Sequence, residues 1–272
     1  MTELRLERVT FSYPDGTRAL EAIDLTVPAG SSLALIGANG SGKTTLVRHL
    51  DGLLRPSSGR VLVDGRDAAD RSVAQLARTV GLVFQRPERQ IFGSTVRSEV
   101  EFGPRHLGVD DAAAFARVRA AVARVGLGED LGAHPGDLGQ TRRKLLTIAS
   151  VLAMETPVVV LDEPTTGLDS RGVTLVGTIV RELVAEGRTV IGISHDMRFV
   201  AETFERIAVL GRGRVRLEGT TTEVFAEDRW AALAEAGLEP PAAARIGARL
   251  GLGSTPTEEA IVAALMAQQG AG

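Results

Sequence analysis

Gly37-Ala38-Asn39-Gly40-Ser41-Gly42-Lys43-Thr44 is the stretch that decides the fold. It follows a short apolar run, Ser31 to Ile36, and opens a segment of helical periodicity, Lys43 to Leu53. A buried strand, a glycine-rich turn and a helix in that order form a cradle for phosphate, and the run matches G-x-x-x-x-G-K-[ST] in full. Glycines let backbone N–H groups curl around phosphate oxygens without Cβ clashes, and the helix N-terminus adds positive potential. Lys43 is the candidate to reach the β- and γ-phosphates. Thr44 is the candidate to place its hydroxyl on Mg²⁺.

Working outward, Val158-Val159-Val160-Leu161 is a continuous apolar run that ends in Asp162-Glu163. Such a run suits a strand buried on both faces, with the carboxylates at its C-terminal edge, where parallel sheets bind ligands. Asp162 suits the Mg²⁺ sphere and Glu163 suits a general base or polariser of water. Alternating patterns place further strands at Leu4–Val9 and Leu20–Val27, with strand candidates at Val61–Val63, Val80–Phe84 and Thr189–Ile193, and a helix at Arg171–Ala185. Strands alternating with helices predict a mainly parallel, helix-covered sheet. Residues 96–154 interrupt that alternation with helical sequence, broken at Gly103-Pro104, Gly108 and Gly126 to Gly139, and read as an inserted subdomain. After about Trp230 the composition shifts to Ala, Gly, Pro and Glu, which predicts a small helical appendage.

Composition narrows the function classes. The chain has 272 residues, 44% hydrophobic, with 31 basic against 34 acidic side chains and a formal net charge of −3. No basic excess suggests a nucleic-acid partner. The absence of cysteine removes disulfides, thiolate metal sites and a Cys nucleophile, and fits a reducing compartment. The start, MTELRLERVTF, has no apolar core of a signal peptide, and no apolar run approaches the ~20 residues that span a bilayer. Any membrane-spanning helices are expected from another chain.

Together, Gly40-Ser41-Gly42-Lys43-Thr44-Thr45-Leu46 and Leu161-Asp162-Glu163-Pro164-Thr165-Thr166-Gly167-Leu168-Asp169 resemble the ATP-binding cassette (ABC) family over residues 3 to about 225. The resemblance implies a P-loop α/β core with an antiparallel β subdomain, a helical subdomain and a small C-terminal helical extension. It implies an ATPase domain over 1–228, with the helical subdomain at about 96–155, and an extension over 229–272. Gly37, Asn39, Gly40, Ser41, Gly42, Lys43, Thr44, Thr45 and Asp162 are then expected around ATP. Tyr13 matches the aromatic residue that stacks on adenine. Gln85, which ends Gly81-Leu82-Val83-Phe84-Gln85, matches the glutamine that senses Mg²⁺, so Thr44, Gln85 and Asp162 are the expected metal set. His195 matches the switch histidine, and with Glu163 and Gln85 it completes the catalytic set. Leu168-Asp169 matches the loop that crosses to a partner subunit.

Phe84 to Phe92 and Thr95 to Pro104 resemble the ATPase of energy-coupling factor transporters, importers of vitamins and transition-metal ions. So does the tail, with Gly237-Leu238-Glu239-Pro240-Pro241 ahead of a short helical segment. That resemblance implies a second ATPase subunit, a transmembrane coupling protein and a substrate-capturing membrane protein, at the cytoplasmic face of the cell membrane. Glu99 stands where that group places an acid facing a partner arginine. A soluble ABC ATPase of DNA repair or translation is the alternative; such chains carry a long inserted coiled coil or tandem cassettes, and this chain has neither. An exporter or lipid-transport ATPase is a third, against which the segment Arg86 to Pro104 argues.

One family motif diverges. Counting back without gaps from Asp162 places the signature Leu-Ser-Gly-Gly-Gln at Leu138-Gly139-Gln140-Thr141-Arg142, where only leucine matches. Thr141 and Arg142 are the candidates to supply the missing hydroxyl and charge. Signatures act on the partner's nucleotide, so this chain's own phosphate site is expected to be complete while the partner's is altered. A heterodimer is the favoured reading, with a homodimer as the alternative.

Overall fold

The amino-terminal part is shaped by alternation of apolar and polar residues. The computed structural model describes residues 2–270. Leu4–Ser12 (β1) pairs antiparallel with Arg18–Val27 (β2). Arg8, at φ 49°, sits at a register shift between Leu6 and Val9, so Leu4 and Leu6 before it and Val9 and Phe11 after it all face inward. Then come Ser32–Ile36 (β3), Lys43–Leu50 (α1), Ser58–Val63 (β4), the short Arg66–Asp67 (β5), a single helical turn at Val73–Leu76 (α2) and Val80–Val83 (β6).

The next 60 or so residues are helical: Val96–His106 (α3), Asp111–Arg124 (α4) and Gln140–Leu152 (α5). Val158–Asp162 (β7), Ser170–Ala185 (α6), Thr189–Ile193 (β8) and Met197–Thr203 (α7) restore the alternation. A hairpin of Arg206–Gly211 (β9) and Arg214–Thr220 (β10) follows, then Thr221–Val224 (α8), Trp230–Glu235 (α9), Ala242–Arg249 (α10) and Glu258–Gly270 (α11).

The strands make two sheets. One is antiparallel, in the order β2-β1-β4-β5; the other has the order β10-β9-β3-β8-β7-β6, and all its neighbours are parallel except β10 on β9. Every residue of β3, β7 and β8 is buried, as parallel strands covered on both faces require. Their two faces feed different cores. Leu33, Leu35, Val158, Val160, Ile191 and Ile193 pack with the antiparallel sheet and with Leu46, Val47 and Leu50 of α1. Ala34, Ile36, Val159, Leu161 and Val190 face the other way, against α3 to α7 and the tail helix α9.

Two sequence expectations need correction. The helix is not broken at Gly103-Pro104: α3 runs through both residues. Pro104 lies in its last turn, where the missing N–H costs one helical bond, and Gly103 lets Met154 approach so closely that a Cβ would stand 2.6 Å from its Cγ. The reciprocal Thr95–Ser98 cap starts the helix firmly. The helix from Lys43 stops at Leu50, short of Leu53. The β9–β10 hairpin and α7 had no reading in the sequence. Arg212 and Gly213, at φ 51° and 74°, form the two-residue turn between those strands. Among the described residues no helix is long and apolar enough to cross a membrane.

Candidate functional site

The glycine-rich loop leaves the C-terminal end of β3 and enters α1, so its backbone is held at both ends. Two glycines are required by crowding. A Cβ on Gly37 (φ 150°) would stand 2.1 Å from the Leu210 carbonyl oxygen, and one on Gly42 (φ 107°) 2.6 Å from that of Ala19. Lys43 is buried, and its Nζ donates to the carbonyls of Gly37 at 2.7 Å and Ala38 at 3.0 Å and to Ser41 Oγ at 3.4 Å. The loop thus stores its own cation at the place where phosphate would arrive. Burial draws the Lys43 ammonium below its usual range, against the opposing charges of Glu163 and Asp162. From the other side, Ala38 N–H donates to the Ala236 carbonyl at 3.3 Å, so the end of α9 touches the loop.

β7 delivers the acids. The hydroxyl of Thr44 donates to Asp162 Oδ2 at 3.2 Å, which joins two expected metal ligands directly. Burial raises Asp162 above the usual carboxylate range, offset by that hydrogen bond and by the Lys144, Arg48 and Lys43 charges. Glu163 follows at φ 50°, a left-handed conformation that a non-glycine residue adopts at a cost of about 1–3 kcal/mol. Its side chain is 6% exposed, and burial, then the Asp162 charge, push its carboxyl up to about 7. Glu163 Oε1 is 3.1 Å from His195 Nε2 and has no hydrogen-bond partner within the chain, while the backbone of His195 offsets part of the rise of the carboxyl. The contact is thus one of proximity, with the oxygen free to accept from a reacting group. Burial, then the Lys43 charge, lower the His195 imidazole, so it is neutral near pH 7.

Tyr13, Asn39, Gly40, Ser41, Gly42, Lys43, Thr44, Thr45, Gln85, Asp162, Glu163 and His195 line one cleft of about 280 Å³. Gly37 lies behind it and serves through its carbonyl. Tyr13 Oη is 2.9 Å from Thr45 Oγ1, which fixes the ring at the rim. The hydroxyl of Thr44, the carboxylate of Asp162 and the amide of Gln85 offer hard oxygen donors, too few for an all-protein cage. That donor set fits Mg²⁺, which keeps its waters and takes phosphate oxygens. No group of three or more His, Cys, Asp or Glu side chains able to hold a metal occurs among the described residues.

Among the residues in or beside the cleft that the sequence did not mark, two are charged. Arg18 lines it from the start of β2, without a motif to mark it. Lys144, one turn into α5, is 2% exposed, and burial pushes its ammonium down to about 8, against the Asp162, Glu163 and Glu88 charges. The divergent segment itself starts α5. Gly139 is the N-cap without a side-chain hydrogen bond. The Thr141 hydroxyl donates to the Gly167 carbonyl at 3.3 Å, and Arg142 pairs with Asp130. Both replacement side chains are therefore engaged within the chain.

A second, apolar groove of about 260 Å³ has Leu53, Val73, Phe84, Phe92, Glu99, Phe102 and Met154 on its walls. Phe92 is 64% exposed and Phe102 42%, in edge-to-face contact. Glu99 is neither solvated nor free: it is 3% exposed, and its Oε2 accepts from the Phe92 and Gly93 amides at 2.9 and 2.7 Å.

Comparison with known proteins agrees with this geometry. The ABC transporter family profile matches residues 20–166. The chain is 44% identical over 253 residues to the energy-coupling factor transporter ATP-binding protein EcfA2 of Symbiobacterium thermophilum, covering 90% of this chain and 86% of that one. It is 42% identical over 242 residues to the cobalt import ATP-binding protein CbiO of Rhodobacter capsulatus, covering 88% and 85%. Other relatives are longer: the chain spans 39% of a Methanosarcina acetivorans ABC transporter ATP-binding protein and 41% of one from Methanosarcina mazei. Among solved structures, cbiO1 of Clostridium perfringens, described as part of the ABC transporter complex cbiONQ, superposes with a TM-score of 0.76 at 34% identity, covering 91% of this chain and 98% of that one. The chain belongs to the ABC transporter family, as one of its ATPases.

Proposed function

We propose that this chain is the ATP-hydrolysing subunit of an energy-coupling factor type ABC transporter, and that it powers import of a vitamin or a transition-metal ion from the cytoplasmic face of the membrane. The observation that carries the hydrolytic part is the buried, unpartnered Glu163 Oε1 beside Lys43, Asp162 and His195 in one cleft. The importer part rests on the relatives' names and on the second groove.

In this reading the loop amides and Lys43 bind and neutralise the phosphates, and Lys43 exchanges its carbonyl partners for phosphate oxygens. Thr44 and Asp162, with Gln85 nearby, would hold Mg²⁺, which would supply charge neutralisation for the phosphates. Glu163 orients the attacking water and accepts its proton; a carboxyl near 7 is matched to that task at neutral pH. His195 holds its neutral imidazole against Glu163 and the γ-phosphate. Tyr13 stacks on adenine at the rim. ADP leaves with the electrons of the broken bond, and inorganic phosphate departs.

The chain supplies one ATPase of a pair, and a heterodimer fits best, because the segment at Gly139 to Arg142 offers its partner's nucleotide neither the serine nor the paired glycines. The groove beside Phe92 and Phe102 receives helices of the transmembrane coupling protein, which in turn holds the substrate-capturing membrane protein. The ATPase unit covers 1–228 and the extension 229–272.

The test is Glu163→Gln in the assembled complex. Nucleotide affinity is expected to stay within about twofold and phosphate release to fall roughly 10²- to 10⁴-fold. Hydrolysis at the normal rate would refute the assignment of Glu163.

A further inference from the structure

Lys144 is buried to 2% exposure, and the hydrolytic reading above gives it no role. A lysine in such a place requires partners, because an unpaired buried ammonium is costly. Its Nζ donates to two consecutive backbone carbonyls, that of Phe84 at 3.2 Å and that of Gln85 at 2.9 Å. A second tie joins the same segment to the same helix. The Gln90 side chain accepts from Phe84 N–H at 3.0 Å and donates to the Thr147 carbonyl of α5 at 3.3 Å. Phe84 and Gln85 are thus fastened to α5 through side chains on both elements. The Lys144 charge also reaches the acids at the end of β7, where it lowers the proton affinity of both Asp162 and Glu163, as Lys43 does from the loop side.

We propose that Lys144, with Gln90, is a positioning residue for the hydrolytic step: it fixes the Phe84-Gln85 backbone to α5 and so holds the Gln85 side chain at the metal and water positions beside Asp162 and Glu163. This inference rests on the ATPase reading of the cleft. The chemistry is that of a backbone clamp. Two consecutive carbonyls turned toward one ammonium fix the peptide planes on either side of Gln85, and those planes set where the Gln85 side chain begins. Gln85 is itself exposed, so its position depends on this backbone. The clamp grips α5 two residues beyond the segment at 138–142, so the piece of chain that faces a partner's nucleotide and the piece that senses this chain's own share one anchor.

The test compares Lys144→Met, which keeps the length and removes donors and charge, with Gln90→Ala, which removes only the second tie. Wild type and Glu163→Gln serve as references, all in the assembled transporter complex with Mg-ATP. Melting temperature, KM for ATP, kcat and the Mg²⁺ concentration for half-maximal turnover are measured. Both variants are expected to lower kcat by roughly 10- to 100-fold, with KM for ATP changed less than about twofold and the Mg²⁺ requirement raised. A structural role alone would lower the melting temperature and the active fraction and leave the Mg²⁺ requirement in place. Unchanged kcat in Lys144→Met overturns the proposal. Should that variant fail to fold, Gln90→Ala decides, and an unchanged kcat and Mg²⁺ requirement there overturns it. Lack of turnover in wild type, or full turnover in Glu163→Gln, would instead strike the ATPase reading beneath it.

Discussion

Glu163 carries two liabilities at once, a left-handed backbone and a carboxylate buried beside a second one. Its folded pKa, about 7, lies above the ordinary 4.5. The folded chain therefore binds more protons than the unfolded chain between those values, and nucleotide-free stability falls as pH rises through that window, then levels off. The loss attributable to Glu163 is roughly 3 kcal/mol at most, and Asp162, also raised by burial, adds in the same direction. Denaturant midpoints taken from pH 5 to 8 should show this fall in the wild type and a much shallower one in Glu163→Gln, so that the variant is the more stable at pH 8. Parallel curves would mean that Glu163 ionises freely. At this scale the loop at 37–44 and the acids at 162–163 were legible because each is a contiguous run whose chemistry is set by neighbours in sequence. Lys144 was not, since its partner Gln85 is 59 residues away and only folding brings them together.

At the scale of elements, the heterodimer proposed above makes α5 the helix on which a difference between two sites would rest. Its N-terminus is exposed at Gly139 and Gln140, while Thr141 and Arg142 are turned to Gly167 and Asp130. Restoring Gly139→Ser, Gln140→Gly, Thr141→Gly and Arg142→Gln together should raise turnover at the partner's phosphate site about tenfold or more, in line with the worth of oxyanion-type donors. Single-site hydrolysis in the assembled complex measures this; no change, or a loss, would show that the segment works as it stands. The elements also show where periodicity is a poor guide. β3, β7 and β8 were readable because burial on both faces leaves unbroken apolar runs. Gly103-Pro104 suggested a break that α3 does not make, because the glycine serves packing on Met154 and the proline falls where only one hydrogen bond is lost. The β9–β10 hairpin went unread even though β10 alternates polar and apolar residues much as β1 does, and its pairing to β9 confirms it as a strand.

Over the whole molecule, the tail is tied into the cassette. Leu233 of α9 is fully buried in the larger core, with Ala236 and Ala244 nearby in the same cluster. Leu233→Ala should therefore destabilise the entire chain by about 2–5 kcal/mol, seen as a single shifted denaturation transition. A separate early transition, with the main one unmoved, would show that the tail folds by itself. The sequence marked this region by its composition and by the resemblance of Gly237 to Pro241, and gave no sign that its first helix reaches the phosphate loop at Ala38. A different consequence comes from β3, whose two faces belong to two cores. No local opening frees such a strand, because either face exposed costs a whole layer of contacts, so its amide protons exchange with solvent only through global unfolding. The loop it carries is accordingly shaped before any nucleotide arrives. Little conformational entropy is left to lose on capture, so the binding energy of the triphosphate is available for drawing two such chains together.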